Sequence, residues 1–120
     1  MTEIDVVNKT RSLDDPLRVK NCESFACRLK GLMFQKSLDP QGGLLMTQKV
    51  ESRANAAIHM FFVLMDLGIV WLNNEMVIVD TKLAKSWRSM YTPRSPAKHI
   101  LEIHPRRLPE FQIGDELRFE

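Results

Sequence analysis

Apolar residues in this chain come in short runs, and most of these runs have the spacing of extended strands. The clearest signal is a pair of runs at residues 68–72 and 76–80, with the turn residues Asn73 and Asn74, followed by Glu75, between them. Asparagine tolerates the positive φ angles of tight turns, so this pattern predicts a β-hairpin. Both faces of the hairpin are apolar, which is typical of strands that are covered on both sides.

Other apolar runs predict further strands along the chain. These runs lie at residues 4–7, 17–20, 43–46, 57–63, 99–103 and 117–119. Residues 49–55 and 82–96 are rich in polar or turn-forming residues, and we interpret both stretches as surface loops.

One segment carries helix signals instead. Ser24 suits the N-cap position, and Phe25 and Leu29 behind it lie on one face of a helix. Gly31 suits the end of the helix, because glycine readily adopts positive φ. The sequence therefore predicts one short helix near residues 24–31.

About seven short strands and one short helix predict a mainly β protein, α+β by strict count. Short strands at close spacing favour a small, strongly curved sheet or a partly closed barrel. Residues 1–16 are interpreted as a polar N-terminal segment with at most one strand. Residues 17–120 are predicted to form a single compact β-rich domain.

Composition excludes several classes of protein. The 120 residues are 44% hydrophobic and 27% charged, which excludes disordered chains and disulfide scaffolds. No apolar run approaches the roughly 20 residues of a spanning helix, so no membrane partner is predicted. The net charge of +2 is too small to indicate nucleic-acid binding. The N-terminus lacks the basic and apolar stretches of a secretory signal, which predicts a cytoplasmic location.

The residues that bind metals are few and scattered. Cys22 and Cys27 lack a second cysteine pair, so we interpret them as reduced, buried structural residues. His59, His99 and His104 would suffice for a three-histidine site, but nothing in the sequence fixes their geometry. Motifs for phosphate loops, dinucleotides, zinc proteases and serine hydrolases are absent from the sequence. No metal or cofactor is predicted.

Three clusters of residues, taken in order, are similar to those of a known family. They are residues 24–33, residues 58–63 with 69–73, and residues 100–103 with 113–115. Together they resemble the bacterial and archaeal family called domain of unknown function 192, from about Leu17 to the end of the chain. The resemblance implies a compact β-rich domain and no established activity.

The chain departs from the family pattern at one acidic position. The family usually has proline, any residue and aspartate before the apolar strand, whereas this chain has Asp66, Leu67 and Gly68. The family's acidic residue is therefore Gly68 here, and an aspartate lies two residues earlier.

Four side chains are candidates for a functional site. His59 is either a core histidine with a hydrogen-bond partner or a base or ligand at the mouth of a cavity. Arg28 follows the predicted N-cap and could hold an anionic group through paired hydrogen bonds. Glu102 alternates with apolar neighbours, which predicts a solvent-facing or charge-paired ligand-binding candidate. Asp66 is the carboxylate that could pair with His59.

A basic loop at residues 82–98 suggests another activity. Basic and aromatic side chains together can bind single-stranded nucleic acid. The side chains concerned are Lys82, Lys85, Arg88, Arg94, Lys98, Trp71, Trp87 and Tyr91. A solvated loop is the simpler interpretation, so nucleic acid is not a favoured partner.

These observations lead to three hypotheses. The first is a small domain that binds a small ligand or a protein partner without catalysis. The second is a minor enzyme that uses His59 and Asp66 as a general acid–base pair. The third is weak binding of single-stranded nucleic acid through residues 82–98. A cavity lined by His59, Arg28 and an acidic group would favour the enzyme over the binding domain.

Overall fold

The computed structural model describes residues 2–87 and 90–120 of the chain. Its strands, in chain order, are β1 (Glu3–Asn8), β2 (Arg18–Cys22), β3 (Gly43–Ser52), β4 (Ile58–His59), β5 (Leu67–Leu72), β6 (Ile78–Ala84), β7 (Met90–Tyr91), β8 (Ala97–Ile103) and β9 (Leu117–Phe119). One α-helix, α1 (Phe25–Lys30), follows β2, and a 3-10 helix (Pro105–Glu110) follows β8.

Seven strands form one strongly curved sheet in the order β6-β5-β8-β3-β2-β1-β9. Strands β2 and β3 are parallel, and the other neighbours in this sheet are antiparallel. Strands β4 and β7 pair separately as a two-stranded sheet. The mainly β prediction with a curved sheet is therefore confirmed. Among the described residues, no helix is long and apolar enough to cross a membrane.

The sheet buries a hydrophobic cluster on each of its faces. Strand β5 contributes to both, because Ile69 and Trp71 point to one cluster while Val70 and Leu72 point to the other.

The predicted pairing of β5 with β6 is confirmed, and β5 is covered on both sides. The predicted two-residue turn was wrong, because Leu72 pairs with Ile78 and residues 73–77 connect the strands. The predicted cover on both faces of β6 was also wrong towards its end, because Lys82 and Leu83 are exposed. Strand β6 lies at the edge of the sheet.

The helix prediction is confirmed at both ends. The Ser24 hydroxyl oxygen accepts a hydrogen bond from the Cys27 N–H at 3.0 Å, as an N-cap should. Gly31 ends the helix with φ 51° and ψ −124°. These dihedrals lie in a region that side chains other than glycine rarely enter.

Several predicted boundaries were wrong because distant pairing extends or shortens a strand. Residues 49–52 belong to β3, which pairs with β8 as far as Ser52, and residues 82–84 belong to β6, which pairs with β5. The predicted strand at residues 57–63 is only Ile58–His59, because the chain turns at Phe62 with φ 61°.

The prediction of two reduced cysteines was also wrong, because Cys22 and Cys27 form a disulfide. Cys22 ends β2, and the N-cap turn at Ser24 folds α1 back towards it. The two Cα atoms are 5.6 Å apart, within the range that a disulfide spans. The disulfide therefore fixes the start of α1 to the sheet.

Candidate functional site

A partly enclosed cavity of about 240 Å³ lies between α1, β3, β4 and β8. Its wall comprises Arg28, Leu29, Lys30, Gly31, Leu32, Met46, Gln48, Asn55, Ala57, Ile58, His59, Val63, Ile100 and Glu102. Three of the four side chains proposed from the sequence, Arg28, His59 and Glu102, therefore meet at one cavity. The hydrophobic pattern gives no signal for the polar wall residues Gln48 and Asn55.

Glu102 is the most deeply buried polar side chain of this cavity, with 5% of its surface exposed. The prediction that it faces solvent or a basic partner was wrong. Glu102 does point away from Leu101 and Ile103, as alternation requires, but β8 lies between β3 and β5, and both faces there are covered. Its Oε1 atom has no hydrogen-bond partner among the described residues.

Burial therefore raises the pKa of Glu102 to about 7, because an apolar environment disfavours the ionised carboxylate. Near neutral pH this carboxyl group exists in both its protonated and its ionised forms. It can donate a hydrogen bond in the first form and accept hydrogen bonds in both.

Gly31 lies directly beside this carboxyl group. A Cβ atom at position 31 would be 3.7 Å from Glu102 Oε1, in ordinary van der Waals contact. The turn that ends α1 therefore brings bare backbone over the buried acid.

His59 combines the two roles that the sequence left open. Its Nε2 atom is 3.2 Å from the Leu29 carbonyl oxygen, and it also lines the cavity. A carbonyl oxygen only accepts, so this contact assigns the proton of a neutral ring to Nε2 and leaves Nδ1 as an acceptor. Nδ1 is buried and has no partner in the described part of the chain. The ring stacks on Phe61, with centroids 5.8 Å apart.

Arg28 brings positive charge to the same cavity from α1. Its Nη1 atom donates to the Glu23 carbonyl oxygen at 3.1 Å. A guanidinium has five N–H donors in a planar fork, so this bond leaves donors for an anionic group.

Asp66, the fourth candidate, does not line the cavity. One carboxylate oxygen accepts from the Ser86 N–H at 2.9 Å, and the other lies 3.4 Å from Lys85 Nζ. These contacts, the backbone hydrogen bond first, lower the pKa of Asp66. Its carboxylate therefore stabilises the end of β6, and Glu102 is the acid that the structure brings to the His59 cavity.

Gly68, at the family's acidic position, lies on the opposite face of the sheet from Glu102. A Cβ atom there would meet Ile103 at 3.2 Å and Leu108 at 3.3 Å, in the second hydrophobic cluster. A side chain at this position would therefore not reach the cavity.

The remaining histidines lie in separate environments. His99 Nδ1 is 2.9 Å from the Thr47 hydroxyl, and His104 Nδ1 accepts from the Arg106 N–H at the start of the 3-10 helix. Within residues 2–87 and 90–120, no group of three or more His, Cys, Asp or Glu side chains could hold a metal ion.

Much of the basic loop at residues 82–98 is engaged within the molecule. Arg94 forms an ion pair with Asp80, and Lys98 donates to the Asn74 side chain. Trp71 is fully buried, so its ring has no free face for a base. Trp87 is exposed, and Arg88 lies outside the described residues.

Comparison with known sequences identifies relatives of the chain. The model of the family described as DUF192, Uncharacterized ACR, matches residues 6–119. A UPF0127 protein of Thermococcus kodakarensis is 39% identical over 112 residues, which are 92% of this chain and 69% of that protein. A UPF0127 protein of Pyrococcus horikoshii is 34% identical over 117 residues, which are 95% of this chain and 97% of that protein.

Two solved structures share the fold. A protein of Sinorhizobium meliloti 1021, described with its crystal structure as a candidate transcription regulator, has a TM-score of 0.83 at 16% identity. A protein of unknown function from Novosphingobium aromaticivorans has a TM-score of 0.81 at 19% identity. The alignments cover 98% of this chain in both cases, and 92% and 84% of those two proteins respectively.

Proposed function

The chain belongs to the DUF192 family, and we propose that it binds a small ligand in the cavity lined by Arg28, His59 and Glu102 without transforming it. The observation that supports this proposal is the pair of buried polar atoms, Glu102 Oε1 and His59 Nδ1, that lack partners among the described residues. Buried polar atoms nearly always have a hydrogen-bond partner, because desolvation is otherwise not offset. A ligand that pairs with both atoms would remove that cost.

The chemistry of the cavity suggests the class of ligand. The lone pair of His59 Nδ1 requires a donor, such as a hydroxyl or an amino group. Glu102 can donate or accept, and Arg28 suits a carboxylate. At about 240 Å³ the cavity is smaller than the roughly 300–1,000 Å³ typical of sites for drug-sized ligands. We therefore propose a small hydroxy acid or amino acid.

A titration followed by protein NMR tests this proposal. The probes are glycolate, lactate and glycine, each added to the labelled chain. We expect chemical-shift changes centred on the cavity, and we expect Arg28→Gln to abolish them. Arg118→Gln is the matched control, because Arg118 on β9 is exposed and pairs with Glu120. The proposal fails if all three probes leave the cavity resonances unchanged, or if Arg28→Gln responds like the control.

A cavity lined by His59, Arg28 and an acidic group is what the enzyme hypothesis expects, but no hydrogen bond joins Glu102 to His59 among the described residues, so general acid–base catalysis is the second candidate. It is supported by Glu102, whose pKa is about 7 and which lines the same cavity as His59. In this version Glu102, and not Asp66, is the acidic partner. Glycolate and lactate dissolved in D2O provide the test. Loss of the proton NMR signal at the carbon beside the carboxylate, abolished by Glu102→Gln, would establish proton transfer. Binding without such exchange supports the first candidate.

The location of the chain in the cell stays a prediction. The Cys22–Cys27 disulfide would be unusual in a cytoplasmic protein, unless the source is a hyperthermophile. Disulfides persist in oxidising compartments and in the intracellular proteins of hyperthermophiles, and they are rare in other cytoplasmic proteins.

A further inference from the structure

Three exposed aromatic side chains from different loops meet on the surface. We call Phe34, Phe62 and Trp87 the aromatic patch, and their exposed fractions are 62%, 45% and 53%. The ring centroids of Phe34 and Phe62 are 5.4 Å apart, and those of Phe62 and Trp87 are 5.2 Å apart. The three rings therefore form one continuous apolar surface.

The backbone that carries the aromatic patch adopts an unusual conformation. All three residues have positive φ angles, which are 66°, 61° and 64° in chain order. Side chains disfavour this region, and such residues concentrate where a surface has a function. The Phe34 N–H donates to the Phe62 carbonyl oxygen at 2.8 Å, so two of the loops are also joined through their backbones.

Three further exposed apolar residues lie around His59. Leu29, Phe61 and Met90 are exposed. Each contacts or pairs with His59, which lines the cavity: Leu29 through its carbonyl, Phe61 through its ring and Met90 across the β4–β7 pair. Clusters of exposed apolar side chains such as these are typical of interaction sites.

Charge is concentrated on the same segments. Residues 24–38, 56–67 and 82–98 contain eight Lys and Arg residues but a single acidic residue, Asp66. The rest of the chain contains nine basic and fourteen acidic residues. The segments that carry the aromatic patch are therefore basic in sequence, although Lys85 and Arg94 form ion pairs with Asp66 and Asp80, and Lys98 bonds to Asn74.

We propose that the aromatic patch docks the chain onto the surface of an anionic lipid bilayer. Exposed aromatic and aliphatic side chains insert at the lipid interface, and nearby Lys and Arg residues attract anionic headgroups. Docking at the surface requires no spanning helix. Phe61, the neighbour of Phe62 in the chain, stacks on His59, so docking through the aromatic patch would bring the cavity towards the headgroups. This inference does not depend on the proposed ligand.

The ring arrangement favours lipid over single-stranded nucleic acid. Phe62 contacts Phe34 at a tilt of 32° and Trp87 at 65°, so the three rings do not form parallel platforms for successive bases. Leu29 and Met90 extend the surface with aliphatic groups, which bury in lipid but do not form stacking platforms.

Vesicle flotation tests the proposal with the full chain. We expect it to float with vesicles that contain phosphatidylglycerol, to float less at high salt, and not to float with pure phosphatidylcholine. Phe62→Ser should reduce binding by about tenfold or more, since it removes one exposed aromatic side chain that would insert into the lipid. Ile113→Ser is the matched control, because Ile113 is 49% exposed and lies outside the aromatic patch.

Intrinsic fluorescence tests the same proposal without a substitution. Trp71 is fully buried and Trp87 is exposed, so quenching by lipids that carry a nitroxide reports on Trp87. Quenching in anionic vesicles supports the proposal. Absence of both flotation and quenching, or an equal loss of binding with Ile113→Ser, overturns it. A chain that binds poly-uridine but not vesicles, or that forms a dimer protecting Trp87 from acrylamide, also overturns it.

Discussion

Asp115 and Glu102 are both buried carboxylates, yet their pKa values move in opposite directions. The pKa of Asp115 falls to about 2, whereas that of Glu102 rises to about 7. The difference lies in their partners. Arg11 donates two hydrogen bonds to Asp115, at 2.7 and 2.9 Å, and the Asn8 side chain donates a third at 2.9 Å. No partner reaches Glu102 Oε1 in the described part of the chain.

Buried polar groups in this chain are therefore of two kinds: those that stabilise the fold through hydrogen bonds, and those that remain available to bind a ligand. Arg107 belongs with Asp115, because its buried guanidinium bonds to Glu110 and to the carbonyl oxygens of Asp15, Pro16 and Pro40. Such groups have their hydrogen bonds filled by the chain itself. Glu102 Oε1 and His59 Nδ1 have no partner within residues 2–87 and 90–120 and lie beside a cavity, and this makes them the candidates for binding.

Removing Asp115 should produce the largest effect. Asp115→Ala leaves Arg11, Asn8 and the Gln112 N–H without their shared acceptor. We expect the free energy of unfolding to fall by about 2–4 kcal/mol in urea denaturation, because the buried Asn8 amide and the Gln112 N–H lose their acceptor, whereas Arg11 is 46% exposed and stays solvated. The control is Glu116→Ala, whose ion pair with Lys9 is about half exposed and should contribute less than about 1 kcal/mol. Equal losses for the two variants would show that the buried Asp115 network stabilises the fold no more than the half-exposed Lys9–Glu116 ion pair does.

Glu102→Gln should raise the free energy of unfolding at high pH, whereas Asp115→Ala lowers it. The raised pKa means that folding favours the protonated acid, so its contribution is complete below the unfolded value of 4.5 and is lost as pH rises through about 7. We expect the variant to be more stable than the unmodified chain by about 2–3 kcal/mol at pH 8 and to differ little at pH 4.

The pH dependence itself distinguishes the two acids. Asp115 has a lowered pKa, so its contribution is present above 3.8 and is lost as pH falls through about 2. In thermal melting from acid to neutral pH, the loss of stability caused by protonation of Asp115 should occur at the acid end only. Glu75→Gln is the control for position 102, because Glu75 is exposed. A flat stability profile from pH 5 to pH 8 would contradict the raised pKa of Glu102.

Reducing the disulfide should change the pKa of Glu102 but not that of Asp115. The Cys22–Cys27 bond closes a short loop, so its loss should cost about 2 kcal/mol of stability. It also frees α1, which lines the cavity, and water entering there would lower the pKa of Glu102 towards its ordinary value. Carboxyl NMR titration with and without a phosphine reductant measures both acids. A shift in Asp115 of the same size would show general loosening.

The smallest effect should come from Gly31→Ala. The residue has φ 51° and ψ −124°, so alanine should cost about 1 kcal/mol or more through backbone strain. Because this ψ is far from the left-handed helical region, Gly31→Asn should recover little of the loss. The added methyl group lies near Glu102 Oε1 and should raise its pKa further, because it adds apolar surroundings. Chemical denaturation and carboxyl NMR check the two effects, and Gly114→Ala, with open space around its Cβ position, isolates the strain.

Local signals explain what the sequence could predict. Ser24 and Gly31 act on their own neighbours, so the helix bounds followed from them, and the alternation in β5 and β6 identified the hairpin. The environment of Glu102 depends on which strands flank β8, and strand order is not written in any short segment. The sequence therefore placed Glu102 on the correct side of its strand but could not show that this side is covered.

The disulfide and the cavity share that limitation. Cys22 and Cys27 become partners only when α1 turns back on β2, and the spacing alone did not indicate that turn. His59 was identified as a candidate from its apolar surroundings, but its contact with Leu29 crosses thirty residues. Residue types predicted the candidates, and long-range packing decided which of them meet.

The pairing of β1 with β9 has a consequence for the order of folding. Val6 lies opposite Phe119, so a strand near the start of the chain completes its pairing only with a strand near the end. Closing so long a segment costs entropy before any contact offsets it, and folds rich in such contacts cross their barrier slowly. During synthesis, β2 is available to pair with β1 early. The other edge of β1 stays unpaired until β9 leaves the ribosome. Throughout that interval the nascent chain exposes an open edge to its neighbours.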